Sequence, residues 1–258
     1  MASLDNDVNP MEFRARYLAG DFTPTVSVGQ PSSSHISMVM CLWNRPGRIL
    51  EILEMLAGQR RTKGIDLYFW NNCADDHEIY ESAIRDYRLS GALRSVHLIK
   101  SEANLGSMAR FYVARKLAKE GLAGPIIVLD DDEVVTPHFV RIATKRYDPK
   151  AVTAWWAFTM GEDYWRDKKP AKKRDRVDHI GPGGSISDSH IFLDDGFFTE
   201  IPDKYWLLDD LWLSYYARSK GIQLKKLDVT IEFVLAETNQ WYSVKQLKTD
   251  FYNELYNR

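Results

Sequence analysis

The sequence predicts an α/β domain built on a mainly parallel sheet with helices on both faces. Three observations carry that prediction. Hydrophobic residues are 45% of the 258 and charged residues 27%, a globular composition that excludes a disordered, collagen-like or coiled-coil chain. From Ile36 onward, short apolar runs alternate with stretches whose apolar residues recur at helical spacing. Strand–helix–strand repetition of this kind implies crossovers, and crossovers place the strands in parallel.

The elements follow in order. Residues 1–34 read as an N-terminal extension. It holds a short helix around Met11 to Leu18, then a loose linker, Thr23 to Ser34, with Pro24, Gly29, Pro31 and three serines. Met1 to Pro10 carries Asp5 and Asp7 without a basic flank or apolar core, so it does not read as a signal peptide. The domain proper is 35–258. Ile36 to Trp43 is a strand; Pro46 opens a helix carrying Ile49, Ile52, Leu53 and Leu56. Ile65 to Trp70 is a second strand, Asp76 to Tyr87 a helix, and Val96 to Ile99 a third strand. Leu105 to Lys119 is a helix ended by Gly121, Pro125 to Leu129 a fully apolar strand, and Pro137 to Arg146 a helix. The rhythm then loosens. Ala151 to Phe158 reads as one strand, Gly161 to Arg176 as a polar segment, Asp209 to Ser219 as a helix, and Tyr242 to Tyr256 as a closing amphipathic helix.

Charge and cysteine content exclude some classes. Lys+Arg 34 against Asp+Glu 36 leaves −2, without the basic surplus of a nucleic-acid binder. Cys41 and Cys73 are too few for a disulfide framework and read as buried free thiols of a reducing compartment. No run approaches the roughly 18 apolar residues of a membrane span. The expected location is cytoplasmic.

The strongest chemical signal is Asp130-Asp131-Asp132-Glu133, directly after an apolar strand. Ligands of open α/β sheets bind beyond the carboxyl ends of the strands. Adjacent carboxylates repel, and a divalent cation relieves them; Mg²⁺ or Mn²⁺ shared with substrate phosphates suits such a set. The plain alternative is a solvated acidic turn or a helix start stabilised by the macrodipole. No Gly-x-Gly-x-x-Gly follows the first strand, so dinucleotide binding has no support.

Around these acids the chain resembles the GT-A fold glycosyltransferases, most closely the family 2-like inverting enzymes. The resemblance spans about residues 36–228 and rests on five pieces in order. These are Cys41-Leu42-Trp43-Asn44-Arg45-Pro46 with Gln59; Phe69-Trp70-Asn71-Asn72-Cys73-Ala74-Asp75-Asp76; Asn104-Leu105-Gly106 with Ala109-Arg110; the acids with Pro137; and Asp209-Asp210-Leu211-Trp212-Leu213-Ser214 with Gly221. It implies a GT-A, Rossmann-like single domain, with 35–150 as the nucleotide-sugar half and 151–258 as the acceptor half. It further implies that Asp132, with Asp130, ligates Mn²⁺ or Mg²⁺ on the donor diphosphate, and that Asp130 or Asp131 holds the ribose. Arg110 would reach the diphosphate or the acids, and the backbone at Leu42, Trp43 and Asn44 would flank the base. Asp210 would be the catalytic base. Asn71 stands where the family usually has Asp, which leaves the nucleobase open, with a UDP-sugar as first guess.

Other features stay less specific. Gly181-Pro182-Gly183-Gly184 is similar to the family's glycine loop before the acceptor site, or is a simple turn. Trp206 and Trp212 could stack on sugars, or be core. The histidines show no pair at ligand spacing; His179 and His190 bracket the glycine loop and could meet a phosphate or the metal. The basic run Lys168 to Arg176 reads as a solvated mobile loop, and otherwise as a contact for an anionic lipid surface.

The expected activity is metal-dependent transfer of a sugar from a nucleoside-diphosphate sugar to a glycan or lipid-linked acceptor hydroxyl, with inversion. The alternatives are a retaining enzyme of the same fold, a sugar nucleotidyltransferase, and a non-enzymatic carbohydrate-binding protein.

Overall fold

In the computed structural model, which describes residues 13–234 and 244–256, an eight-stranded sheet is flanked by helices on both faces. Residues 1–12, 235–243 and 257–258 lie outside the described residues, and with them the segment Met1 to Pro10. The first half runs α1 (Arg14–Ala19), β1 (Val26–Gly29), β2 (Ile36–Leu42), α2 (Ile49–Ala57), β3 (Ile65–Asn71), α3 (His77–Asp86), β4 (Leu93–Lys100), α4 (Ala109–Lys119), β5 (Pro125–Val128). The second half runs β6 (Glu133–Val135), α5 (Phe139–Arg146), β7 (Ala151–Ala154), β8 (Ala157–Thr159), β9 (Lys169–Pro170), β10 (His179–Ile180), β11 (Ser185–Asp188), α6 (Gly196–Thr199), α7 (Asp209–Ser219), β12 (Gln223–Lys226), β13 (Ile231–Phe233), α8 (Lys245–Phe251).

The large sheet has the order β1-β4-β3-β2-β5-β11-β7-β12. Strands β4, β3, β2 and β5 are parallel, as the crossovers require. In β2 every residue but Cys41 is buried, as expected of a central strand covered on both faces. Leu42 pairs with Asn71, so β2 and β3 finish level and their carboxyl ends share one rim. β11 inserts antiparallel between β5 and β7, with Ser185 opposite both Val128 and Ala154. That insertion brings the end of β7 to the same rim.

Two cores fill the faces. One, under α2, α3 and α5, is mainly aliphatic and includes Met38, Leu53, Leu67 and Phe139. The other, under α4 and α7, is aromatic: Phe111, Phe192, Phe197, Trp212 and Tyr216 interlock with ring centroids 5.0–6.4 Å apart. Trp70 and Trp206, with Tyr17, Tyr112, Tyr164, Tyr205 and Tyr252, are buried in the same core.

The structure differs from the sequence reading at three places. Val26–Gly29, within the expected linker, is an edge strand paired antiparallel to β4. Ser27 Oγ meets His97 Nδ1 at 3.0 Å, a cross-strand polar contact that local composition does not reveal. Ala151 to Phe158 is two strands, because the chain leaves the large sheet at Trp155 and enters a three-stranded sheet ordered β10-β8-β9. The basic run is no mobile loop: Lys169–Pro170 pairs with β8, and Ala171 and Val177 are buried. The closing helix begins at Lys245; its expected first residues, 242–243, lie outside the described residues.

Candidate functional site

The acids stand on the rim where β2 and β5 end, and they are not equivalent. Asp131 turns inward: Oδ2 accepts the Trp43 N–H at 3.0 Å and Oδ1 accepts Arg45 Nη1 at 2.7 Å. Its backbone carbonyl accepts Arg48 Nη1 at 2.6 Å. Glu133 is buried, accepting Trp155 Nε1 at 2.9 Å and the Asp130 N–H at 2.9 Å. Asp130 and Asp132 remain toward the opening. Asp130, its side chain 35% exposed, is bonded by Arg110; Asp132 has Arg45 at 3.6 Å.

Negative charge is in excess here. Burial, only partly countered by Arg45 and the Trp43 N–H, pushes the Asp131 carboxyl up to about 7. Burial and the charge of Asp130 push Asp132 up to about 6. Glu133 is raised well above the carboxylate range, by burial first and Asp130 second. Gly183 keeps the loop close: a Cβ there would run into Asp130 Oδ2 and lie 2.7 Å from Glu133 Oε1.

Among the described residues no three His, Cys, Asp or Glu side chains form a ready-made metal cage. A Mg²⁺ or Mn²⁺ ion held with substrate phosphates needs only one or two carboxylates. Asp130 and Asp132 are hard oxygen donors in a patch short of positive charge, so the residues present fit a divalent cation completed by a diphosphate.

Arg110 joins the acids to the second motif. It is buried on α4, donating from one nitrogen to Asp130 and from Nη2 to Asp209 at 2.6 Å. Asp209 also accepts the Ser107 hydroxyl at 2.8 Å. Burial opposes the Arg110 charge, but Asp130 and Asp209 outweigh it and hold the guanidinium protonated.

Asp210, next on α7, has the opposite surroundings. Its Oδ2 receives Lys248 Nζ at 2.5 Å and lies 3.8 Å from His179 Nε2; Oδ1 accepts the Leu211 N–H at 2.8 Å. Burial works against its charge, yet Lys248, in contact with it, holds the carboxyl well below its ordinary range. His179, buried and 3.2 Å from Ser214 Oγ, is pushed down to about 3 by burial.

The other expected site residues divide. Leu42 is buried, Trp43 gives its N–H to Asp131, and Asn44 is exposed with φ +57, in the left-handed region. Asn71 is fully buried, and its amide is engaged within its own turn: Oδ1 accepts the Cys73 N–H at 2.9 Å and Nδ2 donates to the Cys73 carbonyl at 2.7 Å. Asn72 links the rim to the Gly106 turn, donating to the Gly106 carbonyl at 3.0 Å and accepting the Leu105 N–H at 3.1 Å. His190 is remote from these groups, bonded to Asp188 at the far end of β11.

The sugar-stacking expectation for Trp206 and Trp212 is overturned. Both are buried, with their indole N–H groups on the carbonyls of Leu105 (3.1 Å) and Phe197 (2.6 Å). Trp155 and Trp156 stand at the rim instead. Trp155 grips Glu133, while Trp156 is 41% exposed with Phe158 and Phe233 against it. The sequence reading also missed Arg48 and Lys248, and gave Arg45 no role. Arg45 lies in the motif already singled out and Arg48 just beyond it; Lys248 had no local signal.

The arrangement defines an α/β protein with a polar, acid-lined site beyond the carboxyl ends of its parallel strands. The particular fold is GT-A, as the solved structures it is similar to show. The chain is similar to S. aureus TarS (TM-score 0.55, 16% identity, 86% of this chain and 40% of that chain). It is similar also to TarS 1–349 in complex with UDP-GlcNAc (TM-score 0.52, 14%, 83% and 65%). A third match is the mannosyltransferase PcManGT from Pyrobaculum calidifontis in complex with GDP-Man and Mn²⁺ (TM-score 0.57, 12%, 97% and 72%). The chain therefore spans about two fifths of the length of the TarS structure. No protein-family model and no curated protein sequence matches the chain. Among the described residues no helix is long and apolar enough to cross a membrane.

Proposed function

We propose that this chain transfers a sugar from a nucleoside-diphosphate sugar to an acceptor hydroxyl, with inversion at the anomeric carbon. The observation that carries the proposal is the Arg110 bridge from Asp130 on the rim to Asp209 on α7, which sets the candidate cation site beside the residue that precedes Asp210. The known structures it resembles include complexes with UDP-GlcNAc and with GDP-Man and Mn²⁺, which supports a nucleotide-sugar donor and a divalent cation.

Asp130 and Asp132 would hold Mn²⁺ or Mg²⁺, and the bound cation supplies charge stabilisation to the departing diphosphate. Asp130 would also face the ribose; Asp131, turned inward, braces the Trp43–Arg48 turn. The backbone at Leu42 to Asn44 and the turn fixed by Asn71 would flank the base. Asp210 takes the proton from the acceptor hydroxyl while that oxygen attacks the anomeric carbon and the bond to the diphosphate breaks. A general base contributes about 10²–10⁴-fold. Trp156 offers a flat face to a sugar ring.

A thermal-shift panel of UDP-, GDP-, dTDP- and CDP-sugars, with and without Mn²⁺, tests the donor. A ligand at 100 times its Kd stabilises by about 2.7 kcal/mol. We expect one nucleotide-sugar class to shift the melt with Mn²⁺ and not with EDTA, followed by release of nucleoside diphosphate. Release of pyrophosphate would instead mark a nucleotidyltransferase.

A further inference from the structure

Asp210 is enclosed from several elements. Lys248 reaches it from α8; His179 faces it from β10, and Lys168 from the segment just before β9. Tyr164 and Tyr256 also adjoin it, and Asp209 is the neighbouring like charge. Helix α8 is tied where it lies. Thr249 Oγ1 accepts Trp165 Nε1 at 2.9 Å. One turn on, Tyr252 donates to the Gly161 carbonyl at 2.6 Å and Tyr256 to the Asp178 carbonyl at 3.1 Å. Residues 157–180, which hold α8 in place, therefore also supply His179 and Lys168. Lys248 and Asp210 are both largely buried, with side chains 15% and 16% exposed.

We propose that Lys248 is a positioning residue for the sugar-transfer reaction: from the C-terminal helix it keeps the Asp210 carboxylate charged and fixes Oδ2 for the acceptor. This rests on the sugar-transfer reading above. A carboxylate at this depth, left without a cation, takes up a proton. His179 cannot replace the cation, since burial leaves it neutral near pH 7. Lys168 lies between the rings of Phe158 and Tyr164, its Nζ 4.2 Å and 4.9 Å from their centroids, and burial pushes it down to about 8. It is the weaker and more distant support. Asp209 is already bound by Arg110. The ammonium in contact with Asp210 is that of Lys248.

The test uses the full chain with ¹³C-carboxyl-labelled aspartate, the Asp210 resonance being assigned by its loss in Asp210→Asn. In the unmodified protein that resonance should stay in its ionised position from pH 8 down to the acid limit of the fold. In Lys248→Met its midpoint should move up by about one to three pH units, the usual effect of losing a contacting opposite charge. Lys248→Arg should leave it in place, and this charge-keeping variant guards against a Met variant that fails to fold. Nucleoside-diphosphate release from UDP-GlcNAc and GDP-mannose with Mn²⁺, followed against pH, should show its acid limb shifted the same way in the Met variant alone. An Asp210 midpoint equal in the Met and Arg variants overturns the proposal. Movement of the carboxyl with no nucleotide release by any form, the unmodified chain included, places the failure in the sugar-transfer reading and leaves the ion-pair assignment standing.

Discussion

Two groups of carboxylates meet on one rim and are treated in opposite ways. At the end of β5 four acids share Arg45, Arg48 and one side of Arg110, and three of them are pushed toward protonation. At the start of α7, Asp210 has Lys248 in contact and His179 and Lys168 close by, and it is driven the other way. The first group is short of positive charge and suits an incoming cation. The second is already compensated, so its acid is ionised before any substrate arrives. Arg110 is the shared member, bonding one acid of each motif.

The contrast breaks most directly at Asp210. Asp210→Asn should lower kcat by about 10²–10⁴-fold while donor affinity holds, since the loss falls in the transition state. Unchanged turnover would reduce Asp210 to a helix-start residue. Asp132→Asn should instead remove Mn²⁺-dependent nucleotide-sugar binding with the fold intact, read as loss of the metal-dependent melt shift. Full activity in EDTA would refute the cation assignment.

Arg110→Met tests the link. It strands Asp130 and Asp209, and breaking a buried pair on one side costs about 3–5 kcal/mol, so urea unfolding should report a loss of that order. A loss under about 1 kcal/mol, the surface-pair range, would show the two groups to be independent. Gly183→Ala is milder. Its Cβ would press on Asp130 and Glu133, and overpacking of this kind costs about 1–3 kcal/mol. Weaker Mn²⁺ dependence should accompany the loss.

The smallest effect concerns pH. His179 falls from its ordinary 6.5 to about 3 in the fold, so the unfolded chain binds its proton first. Its neutral burial is therefore costless above about pH 6.5 and increasingly destabilising as pH falls toward 3. His77 and His97 are lowered in the same direction, also by burial. Asp131 and Asp132, raised to about 7 and about 6, gain stability over the same interval, so the His179 contribution is read as a difference: between pH 7 and pH 5 the melting temperature of the unmodified protein should lose ground to that of His179→Gln. A constant difference would remove His179 from the account.

The sequence by itself determined the parallel sheet, because β2, β3 and β5 are apolar runs and the helices between them repeat at helical spacing. It also located the acids, since a strand end followed by like charges is a local pattern; Arg110 and the Asp209–Asp210 pair were singled out only by the resemblance to GT-A enzymes. It could not separate the acids from one another. Whether Asp131 turns inward depends on the Trp43 N–H, 88 residues away, and on Arg45, 86 away. It could not find Lys248, whose ion pair with Asp210 spans 38 residues. It misjudged Val26–Gly29 and the run from Lys168, where pairing with β4 and β8 overrides a composition that reads as loop. Nor could it choose between Trp206, Trp212 and Trp155, because an indole faces core or solvent according to which carbonyl or carboxylate meets its N–H. Local pattern sets which elements form; contacts between residues distant along the chain set the charge, burial and direction of each side chain at the rim.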